Sequence, residues 1–137
     1  MVNQHLEDRK FEKIQTIIHD DSNSASLYAA NEITRLIKQK QKEGKKAVLG
    51  LATGSTPTKV YEYLVDFHKQ GKLSFENVIT FNLDEYFPMQ PDSIHSYVKF
   101  MNEHLFDHID IDLQNVHIPD GSISRDSVRQ YCEDYEK

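Results

Sequence analysis

The chain is poor in several features that would decide its class at once. It has a single cysteine, Cys132, among 137 residues. A disulfide framework within the chain is therefore excluded and a reducing compartment is permitted. No apolar run approaches the ~20 residues that a membrane-spanning helix needs. The first residues, MVNQHLEDRKFEK, are charged and lack the apolar stretch of a signal peptide. The expected location is the cytoplasm, away from any membrane. Positive charge is in deficit, with 16 Lys and Arg against 22 Asp and Glu, for a net charge of −6. Such a balance argues against nucleic acid as a partner and means that an anionic ligand must be held by local geometry. Apolar residues make up 38% of the chain, which is lean for a globular domain. Either the ends are polar or the chain leans on something outside it.

Hydrophobic periodicity divides what is present. Residues 1–12 read as a polar N-terminal extension, and residues 13–137 as one α/β unit. The β-branched run 13–19 predicts a strand, followed by N-cap candidates Ser22 and Ser24. Ala29, Ala30, Ile33, Leu36 and Ile37 then recur at helical spacing, and the helix runs into a lysine-rich turn broken at Gly44. AVLGLA (47–52) is a short continuous apolar run, as expected of a strand buried on both faces of a parallel sheet. A helix is expected from about Pro57 to Gly71, with Val60, Tyr61, Leu64 and Val65 inward and Tyr63 at the rim. NVITFNL (77–83) is the next strand. Residues 93–108 read as a helix with a stripe of Ile94, Tyr97, Val98, Met101 and Leu105. NVHIP (115–119) is a fourth strand, and 124–137 a last helix with Val128, Tyr131, Cys132 and Tyr135 on one face, where the Cys132 thiol is expected to be buried. Four strand–helix alternations predict a three-layer, doubly wound, mainly parallel sheet of Rossmann-like type. No strand follows the last helix to extend the sheet, which reads as a truncated fold.

In such a sheet ligands bind beyond the carboxyl ends of the strands. Two loops leave that edge. The first is Leu51-Ala52-Thr53-Gly54-Ser55-Thr56-Pro57. Gly54 permits close backbone approach, Ser55 and Thr56 add hydroxyls, and the following helix offers free N–H groups and the positive end of its dipole. It is neither a Walker A loop nor G-x-G-x-x-G. It reads equally as an anion site and as a tight turn with a capping hydroxyl. The second is Phe81-Asn82-Leu83-Asp84-Glu85-Tyr86. Adjacent carboxylates at a strand tip raise one pKa, which improves a general base. The same pair also fits a solvated acidic loop or a turn cap. Together the loops provide an anion anchor and a base, as needed to hold a phosphosugar and remove a proton next to its carbonyl. The residues alone do not choose between isomerisation, deamination and hydrolysis. His104 and His108 are four apart but lack the surroundings of a metal motif, so contact with the helix C-terminus is expected instead.

The segments LGLATGSTPTKVY (49–61), SFENV (74–78), VITFNLDEY (78–86) and HSYVKFMNEHLFDHIDI (95–111) resemble, in order and spacing, the glucosamine-6-phosphate deaminase family. The resemblance covers roughly residues 25–135. It implies that Thr53, Gly54, Ser55 and Thr56 cradle the substrate phosphate. It implies that Asp84 takes a proton from C2 of the ring-opened sugar and returns one to C1, with Glu85 as a supporting carboxylate. The implied enzyme is a hydrolase/isomerase of amino sugar metabolism that turns glucosamine 6-phosphate and water into fructose 6-phosphate and ammonia. It uses no cofactor and no metal, and it works as a homo-oligomer. The related 6-phosphogluconolactonases share the fold but usually carry Arg where this chain has Tyr86, so the deaminase side is favoured. A sugar-phosphate-sensing domain is the non-enzymatic alternative. Family members continue past residue 137, and their remaining half brings a Gly-rich loop with Asp, His and Glu for ring opening and further basic phosphate ligands. This chain alone is therefore expected to be inactive.

Overall fold

The computed structural model describes residue 14 and residues 16–137. The N-terminal extension 1–12 lies outside the described residues, as do two positions of the strand expected over 13–19. The described part of that run is not a strand: Ile14 and Ile18 are exposed. A β-branched run becomes a strand only where a neighbour accepts its hydrogen bonds and packs its side chains, and among the described residues none pairs with it.

Helix α1 spans Ser22–Lys42. Its N-cap is Asp21, not Ser22 or Ser24, and Asp21 Oδ1 accepts the Ser24 N–H at 2.7 Å. The helix ends at Gly44, whose φ of 65° closes the turn. There the Gly44 and Lys45 N–H groups bond back to Gln41 and Lys40 carbonyls, a Schellman closure of the last turn. Strand β1 is Ala47–Leu51. Helix α2, Ser55–Lys69, starts two residues before Pro57, with Gly54 as its N-cap. Proline in the first turn costs nothing, because its missing N–H has no helical acceptor there. Strand β2 is Val78–Asn82.

The helix expected over 93–108 is shorter. Helix α3 covers Tyr97–His104 behind an N-cap at Ser96, and a separate 3-10 turn occupies Phe106–His108. Ile94, placed by spacing on the buried stripe, lies before the helix and is exposed. Strand β3 contains only Val116–His117, and helix α4 is Val128–Tyr135.

The sheet order is β1-β2-β3, all parallel, with Ala47 opposite Val78, Leu51 opposite Asn82 and Thr80 opposite Val116. Ala47, Leu49 and Leu51 face one side together with Val78, Thr80 and Asn82. That side is buried with Ala30 and Ile37 of α1, Tyr61, Leu64 and Val65 of α2, and Met101 of α3. The expectation that β1 is buried on both faces does not hold. Val48 is 59% exposed and Phe81 40%, because among the described residues α4 alone supplies a helix to the second face. There Phe81 stacks on His117 of the adjacent β3 at 4.5 Å, and Tyr135 of α4 meets it edge-on at 6.3 Å. A continuous apolar run thus marks a strand of a parallel sheet even where one face is open. Cys132 is exposed rather than buried, since α4 has no fully buried residue and this side chain borders the open cavity between the helix and the loop that carries Asp84.

Candidate active site

Parallel register decides which loops meet. β1 and β2 end level, at the pair Leu51 and Asn82. Thr53 and Asp84 each follow two residues later, so the two loops singled out in the sequence leave the same edge as neighbours. Asn82 ties the strand ends together, its Nδ2 donating to the Leu51 carbonyl at 3.2 Å.

The first loop turns at Gly54, with φ 99° and ψ −180°, a backbone region essentially reserved for glycine. This turn points α2 so that Ser55 and Thr56 form its exposed first turn. The Thr58 hydroxyl donates to the Gly54 carbonyl at 2.9 Å and fixes the turn from the helix side. From beneath, Tyr61 holds the loop. Its hydroxyl accepts the Ala52 N–H at 3.2 Å and donates to the Ala52 carbonyl. Tyr61 is 3% exposed. Burial pushes its hydroxyl up to about 12, against the opposing effect of the Ala52 backbone, so it stays a neutral donor throughout the working range. Tyr61 was legible as a core residue, but its polar end was not. Tyr61→Phe is expected to leave both Ala52 groups short of a partner at a cost of about 1–3 kcal/mol. Thermal unfolding, together with weaker binding of a phosphosugar to the loop, checks this.

The second loop separates the two carboxylates. Asp84 is exposed. Glu85 is half-buried and turned the other way, onto the start of α3. Its Oε2 accepts from Ser96 Oγ at 2.8 Å, the Tyr97 N–H at 2.8 Å and the Val98 N–H at 3.2 Å. Its Oε1 accepts from the Tyr86 N–H at 2.9 Å and the Tyr97 N–H at 3.1 Å. The helix thus starts under a carboxylate, where its free N–H groups and dipole favour negative charge.

Tyr97 opens α3 beside the second loop. Its ring lies 5.0 Å from that of Tyr86. The neighbouring Tyr86 hydroxyl is the largest cause that holds the Tyr97 hydroxyl above the ordinary tyrosine value, with Asp84 acting in the same direction and Thr53 against it. The parallel register sets both loops at the same edge of the sheet, where a crevice between them is open to a ligand. Sequence reasoning placed Tyr97 only on a core stripe.

The floor of the second loop is Gly121. Its carbonyl accepts the Met89 N–H at 2.8 Å. A Cβ there would collide with the Tyr86 carbonyl and lie 2.8 Å from Met89 Cβ. The loop that carries Asp84 and Glu85 therefore rests directly on backbone. Tyr135 closes the same end by donating to the Asn82 carbonyl at 2.7 Å and the His117 carbonyl at 3.2 Å. A cavity of about 210 Å³ lies between this loop and α4, lined by Asp84, Glu85, Phe87, Tyr131 and Tyr135 among others.

The other candidates fall outside the crevice. His108 Nε2 lies 2.9 Å from the Glu103 carbonyl, the contact with the end of α3 expected of it, and His104 packs on Phe100 at 4.3 Å. No cluster among the described residues has the three ligands that would hold a metal ion. His95 is exposed at the start of the motif. No helix among the described residues is long and apolar enough to cross a membrane.

Comparison with known proteins agrees with this geometry. Residues 20–137 match the family model described as glucosamine-6-phosphate isomerases/6-phosphogluconolactonase. A glucosamine-6-phosphate deaminase of Thermoanaerobacter sp. is 44% identical over 79% of this chain and 44% of its own length. The glucosamine-6-phosphate deaminase of Caenorhabditis elegans is 41% identical over 90% of this chain and 46% of its own. Among solved structures, a monomeric glucosamine-6-phosphate deaminase superposes with a TM-score of 0.82 at 36% identity, over 90% of this chain and 48% of that one. The 6-phosphogluconolactonase of Thermotoga maritima gives 0.68 at 28% identity, over 88% and 50%. The chain spans about half the length of each of these relatives.

Proposed function

Because this chain belongs to the family of glucosamine-6-phosphate isomerases and 6-phosphogluconolactonases, we propose that it supplies the phosphate cradle and the base of an aldose–ketose isomerase that releases ammonia from glucosamine 6-phosphate. The level ends of β1 and β2, with Thr53 and Asp84 two residues beyond the Leu51–Asn82 pair, are the observation that carries this reading.

In this reading the sugar phosphate lies on the first turn of α2. The Gly54 turn, the N–H groups of Ser55 and Thr56 and the hydroxyls of Thr53, Ser55 and Thr56 take its oxygens. A helix N-terminus suits an anion without any net positive surface, which fits a chain of charge −6. Asp84, exposed above the next strand, takes the proton from C2 of the ring-opened sugar and delivers one to C1. The C1 carbonyl becomes an alcohol by way of a C1–C2 enolamine while the C2 amine becomes an iminium, and water then converts that iminium into the C2 ketone and ammonia, which makes the overall change hydrolytic. Ring opening falls to residues in the part of the fold that the relatives add.

The lactone-hydrolase reading has an observation in its favour, the likeness to the Thermotoga maritima lactonase. Tyr86 after the carboxylate pair and the higher identity to deaminases weigh against it. The discriminating experiment joins this segment to the remaining half of the Thermoanaerobacter relative. It then offers glucosamine 6-phosphate and 6-phosphogluconolactone separately. Ammonia and fructose 6-phosphate from the first, with no accelerated opening of the second, is the expected result. The reverse pattern would replace the deaminase reading by the lactonase one.

A further inference from the structure

We propose that Glu85 is a positioning residue, whose carboxylate fastens the loop bearing Asp84 to the N-terminus of α3 and so fixes the height of that base above the phosphate cradle. The inference rests on the reading of Asp84 as the base. It reassigns Glu85, which the family resemblance leaves as a supporting carboxylate of less definite role.

The geometry is one-sided. Every group bonded to Glu85 is a donor: the Ser96 hydroxyl and the N–H groups of Tyr86, Tyr97 and Val98. A carboxylate, whose oxygens only accept, satisfies all of them, whereas an amide must turn its own NH₂ toward some of them. Ser96 is 1% exposed, so the anchor point is part of the core. Two of the N–H groups belong to the first turn of α3 and have no helical acceptor of their own. Glu85 replaces the missing acceptors from a neighbouring loop. Ser96 Oγ also accepts the Val98 N–H at 3.1 Å, so the cap is doubled at that position. On the far side Gly121 leaves the loop no room to sink. Asp84, one residue earlier, is held between these two constraints. The phosphate cradle is fastened separately, by Tyr61 and Thr58.

Separate fastening makes the role measurable. In the joined protein described above, Glu85→Gln is expected to lower kcat by about a hundredfold, the effect of displacing a reacting group by roughly 1 Å. KM for glucosamine 6-phosphate should stay within about twofold, because the cradle is untouched. In the 137-residue chain the same variant should exchange the Tyr97 and Val98 amide protons at least about tenfold faster, since their acceptor is weakened. Ser96→Ala, which keeps the carboxylate and both N–H donors, should reproduce a smaller part of the kcat loss. Unchanged amide exchange in Glu85→Gln overturns the proposal. So does an equal change of kcat and KM, or a loss of turnover as complete as that of Asp84→Asn, which would make Glu85 a catalytic residue. Should Asp84→Asn instead remain active while exchange at Tyr97 and Val98 still speeds up in Glu85→Gln, the base assignment fails and the clamp alone survives.

Discussion

Asp84→Asn is expected to lower ammonia release by on the order of a hundred- to ten-thousand-fold, the usual contribution of a general base, in a protein that joins this segment to the rest of the fold. The substitution is nearly isosteric. Asp84 is exposed, so its replacement should alter stability by no more than about 0.5 kcal/mol, and thermal unfolding should be almost unchanged. The two carboxylates of the pair therefore part company under mutation. Asn at 84 removes chemistry and leaves structure, while Gln at 85 disturbs structure and removes chemistry only in part. Measurement of kcat for both variants beside their melting temperatures separates them. An Asp84→Asn enzyme with near-normal turnover would show that the base lies elsewhere.

Gly54→Ala should be the most damaging change to the phosphate cradle. Its φ of 99° with ψ at −180° is a conformation that a side chain makes costly. Strain of this type costs about 1–3 kcal/mol per residue, which for a domain of this size means a fall of several degrees in Tm, roughly 3–6 °C per kcal/mol. No atom lies within 4 Å of where the new Cβ would sit, so the cost is conformational and not a collision. The backbone can escape the strain only by turning away from φ > 0. That rotation re-aims the N–H groups of Ser55 and Thr56. Loss of affinity for a phosphosugar should therefore exceed what the stability loss accounts for. Gly50→Ala is the control. It also meets nothing within 4 Å, yet its φ is not in the left-handed region, and it should bind as the parent does.

The parts legible in the sequence were those set by short-range chemistry. Apolar runs located β1 and β2, helical spacing located α1 and α2, and Gly71 stopped α2 as expected, with φ 69° and the Schellman bonds from the Gly71 and Lys72 N–H groups. The two loops were legible because an unusual composition follows each strand. What escaped the sequence was long-range. The run over 13–19 has strand propensity but no partner. Ile94 has helical spacing but precedes the cap at Ser96, whose hydroxyl accepts the Val98 N–H while that helix start is also held by Glu85, 11 residues upstream. Tyr61, 9 residues after the peptide it grips, looks like any buried tyrosine. The role of Gly121 depends on an approach to Tyr86 and Met89 that only the folded chain creates. Cys132 shares its face of α4 with Tyr135, but that face closes on the sheet only at Tyr135 and leaves the thiol beside an open cavity.

The most direct test of the central claim, that the loop at 53–56 and the loop at 84–86 form one site, is titration of the ¹⁵N-labelled 137-residue chain with glucosamine 6-phosphate, following each amide. The amides of Gly54, Ser55 and Thr56 and those of Asp84, Glu85 and Tyr86 should shift together along one saturation curve, and Gly54→Ala should abolish both sets. Shifts confined to one of the two loops, or two curves with different midpoints, would contradict a shared site.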